Sequence, residues 1–227
     1  MTSTAIAHRP TFVVFEGLDG SGKSTCAAQL AAHLGAELLT TPSPSVRRYR
    51  DELVESLGPS QEARQLFYLA TVFAASEEIS ALLRRGRSVV LDRYFLSTQA
   101  YAAFRGSRLA VDDVQSLLRP ADVTFYLDTP LATRLARLEC RGTSAADRET
   151  LTAEADRRLR DEHFCRAHLD VVGRFVRVPG DLASPREVLD RVLAALPANV
   201  SSASALRGPG HAPTASSLGR SPNRDHG

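Results

Sequence analysis

The tightest constraint in this 227-residue chain lies near its start. The apolar run TFVVFE (11 to 16) leads into GLDGSGKST (17 to 25) and then into CAAQLAAHL (26 to 34), whose apolar residues recur at helical spacing. The three pieces predict a strand, a loop that turns sharply at Gly17, Gly20 and Gly22, and a helix. The loop fits G-x-x-x-x-G-K-[ST] in the strand-to-helix setting that gives the pattern its meaning. Such a loop points backbone N–H groups inward, and the following helix adds the positive end of its dipole, so the product is a seat for phosphate. The expected nucleotide-binding set is Gly17, Leu18, Asp19, Gly20, Ser21, Gly22, Lys23, Ser24 and Thr25. Lys23 would reach the β and γ phosphates and Ser24 would ligate Mg²⁺. Lys23 is also the only lysine among 28 basic residues, so a chain that otherwise uses arginine keeps an ammonium at this one place.

The same alternation continues downstream. Strands are expected at AELLTT (36 to 41), SVVLD (88 to 92), VTFYLD (123 to 128) and RFVRV (174 to 178). Helices are expected over 61 to 85, 111 to 118, 130 to 139 with proline in the first turn, about 150 to 171, and 185 to 196 with Ser184 as its cap. Apolar strands alternating with helices predict an α/β fold of the P-loop NTPase type, a parallel sheet with helices on both faces. Ligands of such sheets bind beyond the carboxyl ends of the strands. The organisation read from composition is a flexible N-terminus (1 to 10), a single domain (11 to 200), and a Ser-, Gly-, Ala- and Pro-rich tail (201 to 227) expected to be disordered.

Charge and cysteine usage exclude more than they propose. The net charge of +2 is matched by the tail alone, where Arg207, Arg220 and Arg224 outnumber Asp225. The basic balance is therefore no argument for a nucleic-acid polymer. Cys26, Cys140 and Cys165 are odd in number and lack metal-ligand spacing, which predicts free thiols. No unbroken apolar run approaches the ~20 residues of a membrane span and no signal peptide is evident, so the expectation is a soluble, cytoplasmic protein without membrane partners.

A single lysine also excludes the N/T-K-x-D base-reading motif of GTPases, which leaves ATP as the expected donor. A small phosphoryl transferase must neutralise charge on two phosphate-bearing partners, which calls for arginines beyond the phosphate loop. The segment RLARLECRGTSAADRET (134 to 150) supplies Arg134, Arg137, Arg141 and Arg148 as a lid of about 140 to 150. No basic residue lies between Gly17 and Gly22, so a transition-state arginine would come from that lid, with Arg141 and Arg148 the candidates. For Arg134 and Arg137, solvated surface arginines and phosphate ligands are both open readings.

Taken in order, FEGLDGSGKST (15 to 25), LDRYFLSTQAY (91 to 101), YLDTPLATRLARLECRG (126 to 142) with DRE (147 to 149), and VPGDLASPREVL (178 to 189) resemble the thymidylate kinase family of nucleoside monophosphate kinases. The resemblance covers about residues 11 to 197. It implies a five-stranded parallel sheet with a small arginine-bearing lid, and transfer of the ATP γ-phosphoryl to dTMP with Mg²⁺ as cofactor. It further implies that Asp19 faces the acceptor sugar or the metal, that Asp92 sits by Mg²⁺ with Ser24, and that Arg93 holds the acceptor phosphate. Thr98 and Gln99 fall near the acceptor base, Tyr101 under the deoxyribose, Phe67 where a ring can stack, and 180 to 185 beside the ATP base. Tyr94 and Phe95 read as core packing under the loop. Dimerisation through the long helices is implied by resemblance alone.

Two departures bear on the acceptor. Where the family pattern F-x-A-x-R places an arginine, FYLAT places Thr71, which cannot supply a forked donor. The segment after the second strand, TTPSPSVRRYR (40 to 50), keeps a proline at Pro42 but lacks the family's acidic residue and paired glycines. Arg47, Arg48 and Arg50 then read either as acceptor-phosphate ligands or as helix-surface charge. A different nucleotide or nucleotide-like acceptor therefore stands beside dTMP at this stage, with a non-catalytic nucleotide-binding regulator behind both.

Overall fold

The computed structural model describes residues 9 to 142, 149 to 182 and 184 to 196. The first eight residues, most of the expected lid including Arg148, and the C-terminal tail lie outside the described residues.

Five strands form one parallel sheet, β1 (Phe12–Glu16), β2 (Glu37–Thr40), β3 (Val89–Asp92), β4 (Val123–Asp128) and β5 (Arg174–Pro179), in the spatial order β2-β3-β1-β4-β5. The helices are α1 (Lys23–Leu34), two short ones, α2 (Pro44–Arg47) and α3 (Arg50–Ser56), then α4 (Gln61–Arg84), α5 (Phe95–Phe104), α6 (Leu131–Arg141), α7 (Ala153–Phe164) and α8 (Pro185–Ala195).

β1 is buried along its whole length because side chains leave a strand alternately to both faces and both faces are covered. Val13 and Phe15 join Ala27, Leu30 and Leu34 of α1 and Val188 and Val192 of α8. Phe12 and Val14 join Leu69, Val72 and Ile79 of α4 and Phe95 and Leu96 of α5. The register sets Phe15 opposite Asp92 and Glu16 opposite Tyr126. The ends of β1, β3 and β4 therefore lie side by side, and that edge carries the site.

Several element boundaries differ from expectation for local reasons. The segment expected as a helix at 111 to 118 is a 3-10 turn over Asp112–Leu117. The charged helix stops at Phe164 and is followed by a second 3-10 turn, Asp170–Val172, whose Val171 and Val172 are drawn into the core. Pro130 is the N-cap of α6 and stands one residue before its first turn. Ser184 caps α8 as expected, accepting a hydrogen bond from the N–H of Glu187 at 3.2 Å.

Among the described residues α4 is the one helix with the length and hydropathy to cross a membrane. In this fold Leu69, Val72, Ile79 and Leu83 of α4 are core residues, while Glu77, Glu78 and Arg84 are exposed on its other side. The three cysteines are free, with Cys26 buried and Cys140 and Cys165 exposed.

Candidate active site

The glycine loop closes over the end of β1 under tight steric limits. Gly17 has φ 140°, and a Cβ there would lie 2.9 Å from the carbonyl oxygen of Leu127. Gly20, at φ 78°, would bring a Cβ to 2.9 Å from the carbonyl oxygen of Arg134. Any side chain at either place would push the loop off β4 or α6. Leu18 and Ser21 are buried under the loop, Ser24 and Thr25 are exposed above it, and the Ser21 N–H donates to the Leu18 carbonyl at 3.1 Å.

Lys23 is buried, its Nζ 3.4 Å from the Leu18 carbonyl and 3.8 Å from Asp19 Oδ1. Burial, helped by the Arg93 charge, brings its pKa down to about 8 even though Asp19, Asp92 and Glu16 oppose the shift. Asp19 is the meeting point of the site. Its Oδ1 accepts from Arg93, and its Oδ2 accepts from the Tyr101 hydroxyl at 2.8 Å. Burial would raise its pKa, but Arg93, Lys23 and the Tyr101 hydrogen bond outweigh burial and hold the carboxyl well below the usual carboxylate range.

Arg93 is the one non-glycine residue among those described with positive φ, at 71°. Its N–H donates to the Phe15 carbonyl at 2.9 Å, its NH1 donates to Ser97 Oγ at 3.0 Å, and its guanidinium lies 5.3 Å from the centre of the Tyr101 ring. The backbone kink thus carries the side chain from the end of β3 across to the phosphate loop of β1. Asp92 accepts from the Ser24 hydroxyl through Oδ2, while its Oδ1 is buried without a partner. An alcohol oxygen beside a carboxylate oxygen with spare acceptor capacity is the oxygen donor set that Mg²⁺ uses together with substrate phosphates. No group of three or more His, Cys, Asp or Glu residues suited to a metal occurs among the described residues, so Ser24 and Asp92 fit an ion that is held largely by its nucleotide.

The expected acceptor-side residues split into two groups. Tyr101 stands in the site with Asp19 and Arg93. Thr71 is nearly buried, with its hydroxyl donating back to the Tyr68 carbonyl at 2.7 Å, and Thr98 does the same toward Tyr94 at 3.2 Å. Gln99 is buried against α4, its Oε1 accepting from Gln65 Nε2 at 2.6 Å and its own Nε2 without a partner. Phe67 is half-buried, edge-on to Tyr68 at 5.2 Å between centroids. Tyr94 and Phe95 are core residues, as read from the sequence, and the Tyr94 hydroxyl donates to the Arg119 carbonyl at 3.1 Å.

Neither Arg134 nor Arg137 is a solvated surface charge. Arg134 has no exposed surface; its Nε donates to the Asp19 carbonyl at 2.7 Å and its NH1 pairs with Asp156 of α7. Arg137 NH1 donates to the Ser21 carbonyl at 3.1 Å and its NH2 to the Gly180 carbonyl at 2.8 Å. Two arginines one helical turn apart on α6 therefore brace the phosphate loop, and the second also ties it to the segment after β5. Arg141, at the end of α6, is exposed. Arg47 turns toward the carboxyl end of β2, bonding Thr40 Oγ1 and the Pro42 carbonyl, whereas Arg48 packs over Tyr49 and Arg50 pairs with Asp51. An open cleft of about 600 Å³ borders the ends of β4 and β5, lined by Asp128, Pro130, Asp156, Arg160 and Asp181. Within the phosphate seat Asp19 offsets part of the positive charge of Lys23 and Arg93, and the three together remain positive.

Two contributors were not singled out in the sequence. Glu16, the last residue of β1, is fully buried and accepts hydrogen bonds from Tyr94 N at 2.9 Å, Ser97 N at 3.2 Å and the Ser97 hydroxyl. Burial pushes its carboxyl up, against the pull of Ser97, Tyr94 and Arg93. Its signal was available: it is the one charged residue of an otherwise apolar strand. His163 of α7 is buried between Tyr126 and Tyr101, with Nδ1 2.7 Å from the Leu159 carbonyl. Burial takes its pKa down to about 3.

A parallel sheet of this order, a glycine loop seating a lysine at β1, and an aspartate and arginine from the end of β3 closing on that loop together define a P-loop nucleotide kinase. The sequence profile described as "Thymidylate kinase" matches residues 15–166. The thymidylate kinase of Chlorobium luteolum is 36% identical over 132 residues, 51% of this chain and 61% of that protein. That of Cupriavidus necator is 33% identical over 210 residues, 83% of this chain and 100% of its own length. The solved thymidylate kinase of Candida albicans superimposes with a TM-score of 0.64 at 23% identity over 82% of this chain and 90% of its own, a likeness of fold. The chain belongs to the thymidylate kinase family.

Proposed function

We propose that this protein transfers the γ-phosphoryl group of ATP to the 5′-phosphate of dTMP, giving dTDP and ADP. The observation that carries the reading is the Lys23–Asp19–Arg93–Tyr101 cluster, in which the donor loop and the acceptor wall meet at one carboxylate. A protein that only binds ATP has no use for that second half.

The acceptor oxygen is already anionic, so no strong general base is needed and catalysis consists of alignment and charge stabilisation. In this reading the loop N–H groups and Lys23 hold the donor phosphates, and Arg93 exchanges part of its bond to Asp19 for a bidentate grip on the acceptor phosphate. Asp19 then takes the sugar hydroxyl. The Tyr101 ring lies against the sugar face and disfavours a 2′-hydroxyl. Ser24 and Asp92 would hold Mg²⁺, which when bound neutralises charge on the β and γ phosphates. Phe67, Thr71, Thr98 and Gln99 belong to the wall around the acceptor base, and Arg141 and Arg148 to the lid over the transferring group. The reading includes a cytoplasmic location, where ATP and deoxynucleotides are found. It also includes pairing of two copies through the long helices, in keeping with Leu66, which is 52% exposed on α4.

The test is a phosphoryl-transfer assay with ATP and Mg²⁺ across dTMP, dUMP, UMP and CMP. Turnover highest with dTMP is the expected result. Absence of turnover with all four would overturn the assignment.

A further inference from the structure

Glu16 bonds into the acceptor loop and not into the phosphate loop that follows it. Its Oε1 accepts from two backbone N–H groups, Tyr94 and Ser97, in the first turn of α5, so it caps a helix from a different strand. Its Oε2 meets the Ser97 hydroxyl. Arg93 NH1 can only donate, so Ser97 Oγ accepts from it at 3.0 Å and must turn its own proton toward Glu16. The donors therefore run in one direction, guanidinium to hydroxyl to carboxylate. The backbone of Arg93 is fixed by the same strand, through Phe15.

We infer that Glu16 is a positioning residue for acceptor binding: acting through Ser97, it orients the Arg93 guanidinium toward the acceptor phosphate. The inference rests on the assignment of Arg93 to that phosphate. Glu16 is fully buried, and its hydrogen bonds all go to the α5 entry turn.

Glu16→Gln is the informative change, because the amide keeps the size of the side chain and one oxygen to cap the two N–H groups. Its nitrogen, however, donates to Ser97 Oγ in competition with Arg93, and the negative charge at the end of the chain is lost. Steady-state kinetics should show the dTMP KM raised by about 10-fold, as expected for a charge-assisted hydrogen bond, with the ATP KM changed by less than about 2-fold. Ser97→Ala, which leaves the carboxylate in place and removes only the bridging hydroxyl, should move the same constant in the same direction.

The decisive measurement repeats both substitutions in an Arg93→Ala background. If Glu16 works through Arg93, neither adds more than about 2-fold to the dTMP KM there, because the group being positioned is gone. Equal multiplicative losses in both backgrounds would mean a purely structural role and would overturn the inference, as would no loss in either. An Arg93→Ala enzyme with an unchanged dTMP KM would overturn the Arg93 assignment as well.

Discussion

At the residue scale, one carboxylate, Asp19, is shared by two cations, Lys23 and Arg93. Lys23 is half-neutral near pH 8 because burial removes its ammonium from water. Bound phosphate favours the ammonium, so ATP binding at pH 8 should take up about half a proton from solution. Titration calorimetry in buffers of different ionisation enthalpy should show this uptake at pH 8 and its disappearance near pH 6.5, where Lys23 is already charged. Tyr101 offers a second separation, between a hydroxyl bonded to Asp19 and a ring that the proposed function sets against the sugar. Tyr101→Phe should lower kcat/KM by about 10-fold and leave the preference for dTMP over UMP intact, whereas Tyr101→Ala should also narrow that preference. Both can be checked in one competition assay. The chemical residue types of this cluster were legible in DRYFLSTQAY and GLDGSGKST. Thr71 and Thr98 were legible only as positions, because whether a hydroxyl turns to a ligand or back to its own helix is a rotamer choice.

At the element scale, α6 and α7 act as a brace behind the phosphate loop. Arg134 is fully buried, and its charge is met by Asp156, which is also bonded by Arg160, itself paired with Asp128 at the end of β4. Removing one member of a buried pair leaves an uncompensated charge, a cost of about 3 to 5 kcal/mol. Asp156→Ala should therefore lower Tm by about 10 °C, measured by scanning calorimetry, although Asp156 lies outside the glycine loop. The sequence showed α6 as a helix carrying arginines at 134 and 137. It did not show that their spacing turns both toward the backbone of the loop, because a solvated stripe and a buried brace share the same periodicity. The sequence pattern predicts helix where the structure has 3-10 turns, because a few apolar residues at helical spacing do not reveal which hydrogen-bond pattern the packing will favour.

At the scale of the whole molecule, stability is tied to a neutral histidine in the core. His163 titrates near 6.5 when unfolded and near 3 when folded, so between those values the unfolded chain binds the extra proton. Its contribution is fully present above pH 6.5 and is lost as pH falls through this window, about 2 kcal/mol by pH 5. His163→Phe should flatten the fall in urea-unfolding free energy between pH 7 and pH 5; an unchanged slope would count against the buried neutral state. By itself the sequence determined the alternation of strands and helices, the phosphate loop, and the acid–arginine pair at the end of β3, because these depend on short-range pattern and on residue chemistry. The tertiary structure decided the strand order, the meeting of Asp19 with Arg93 at a sequence separation of 74, the bracing role of Arg134 and the capping role of Glu16. Each of those is a contact between segments far apart in the chain, and local periodicity carries no information about which distant partner a buried charge will find.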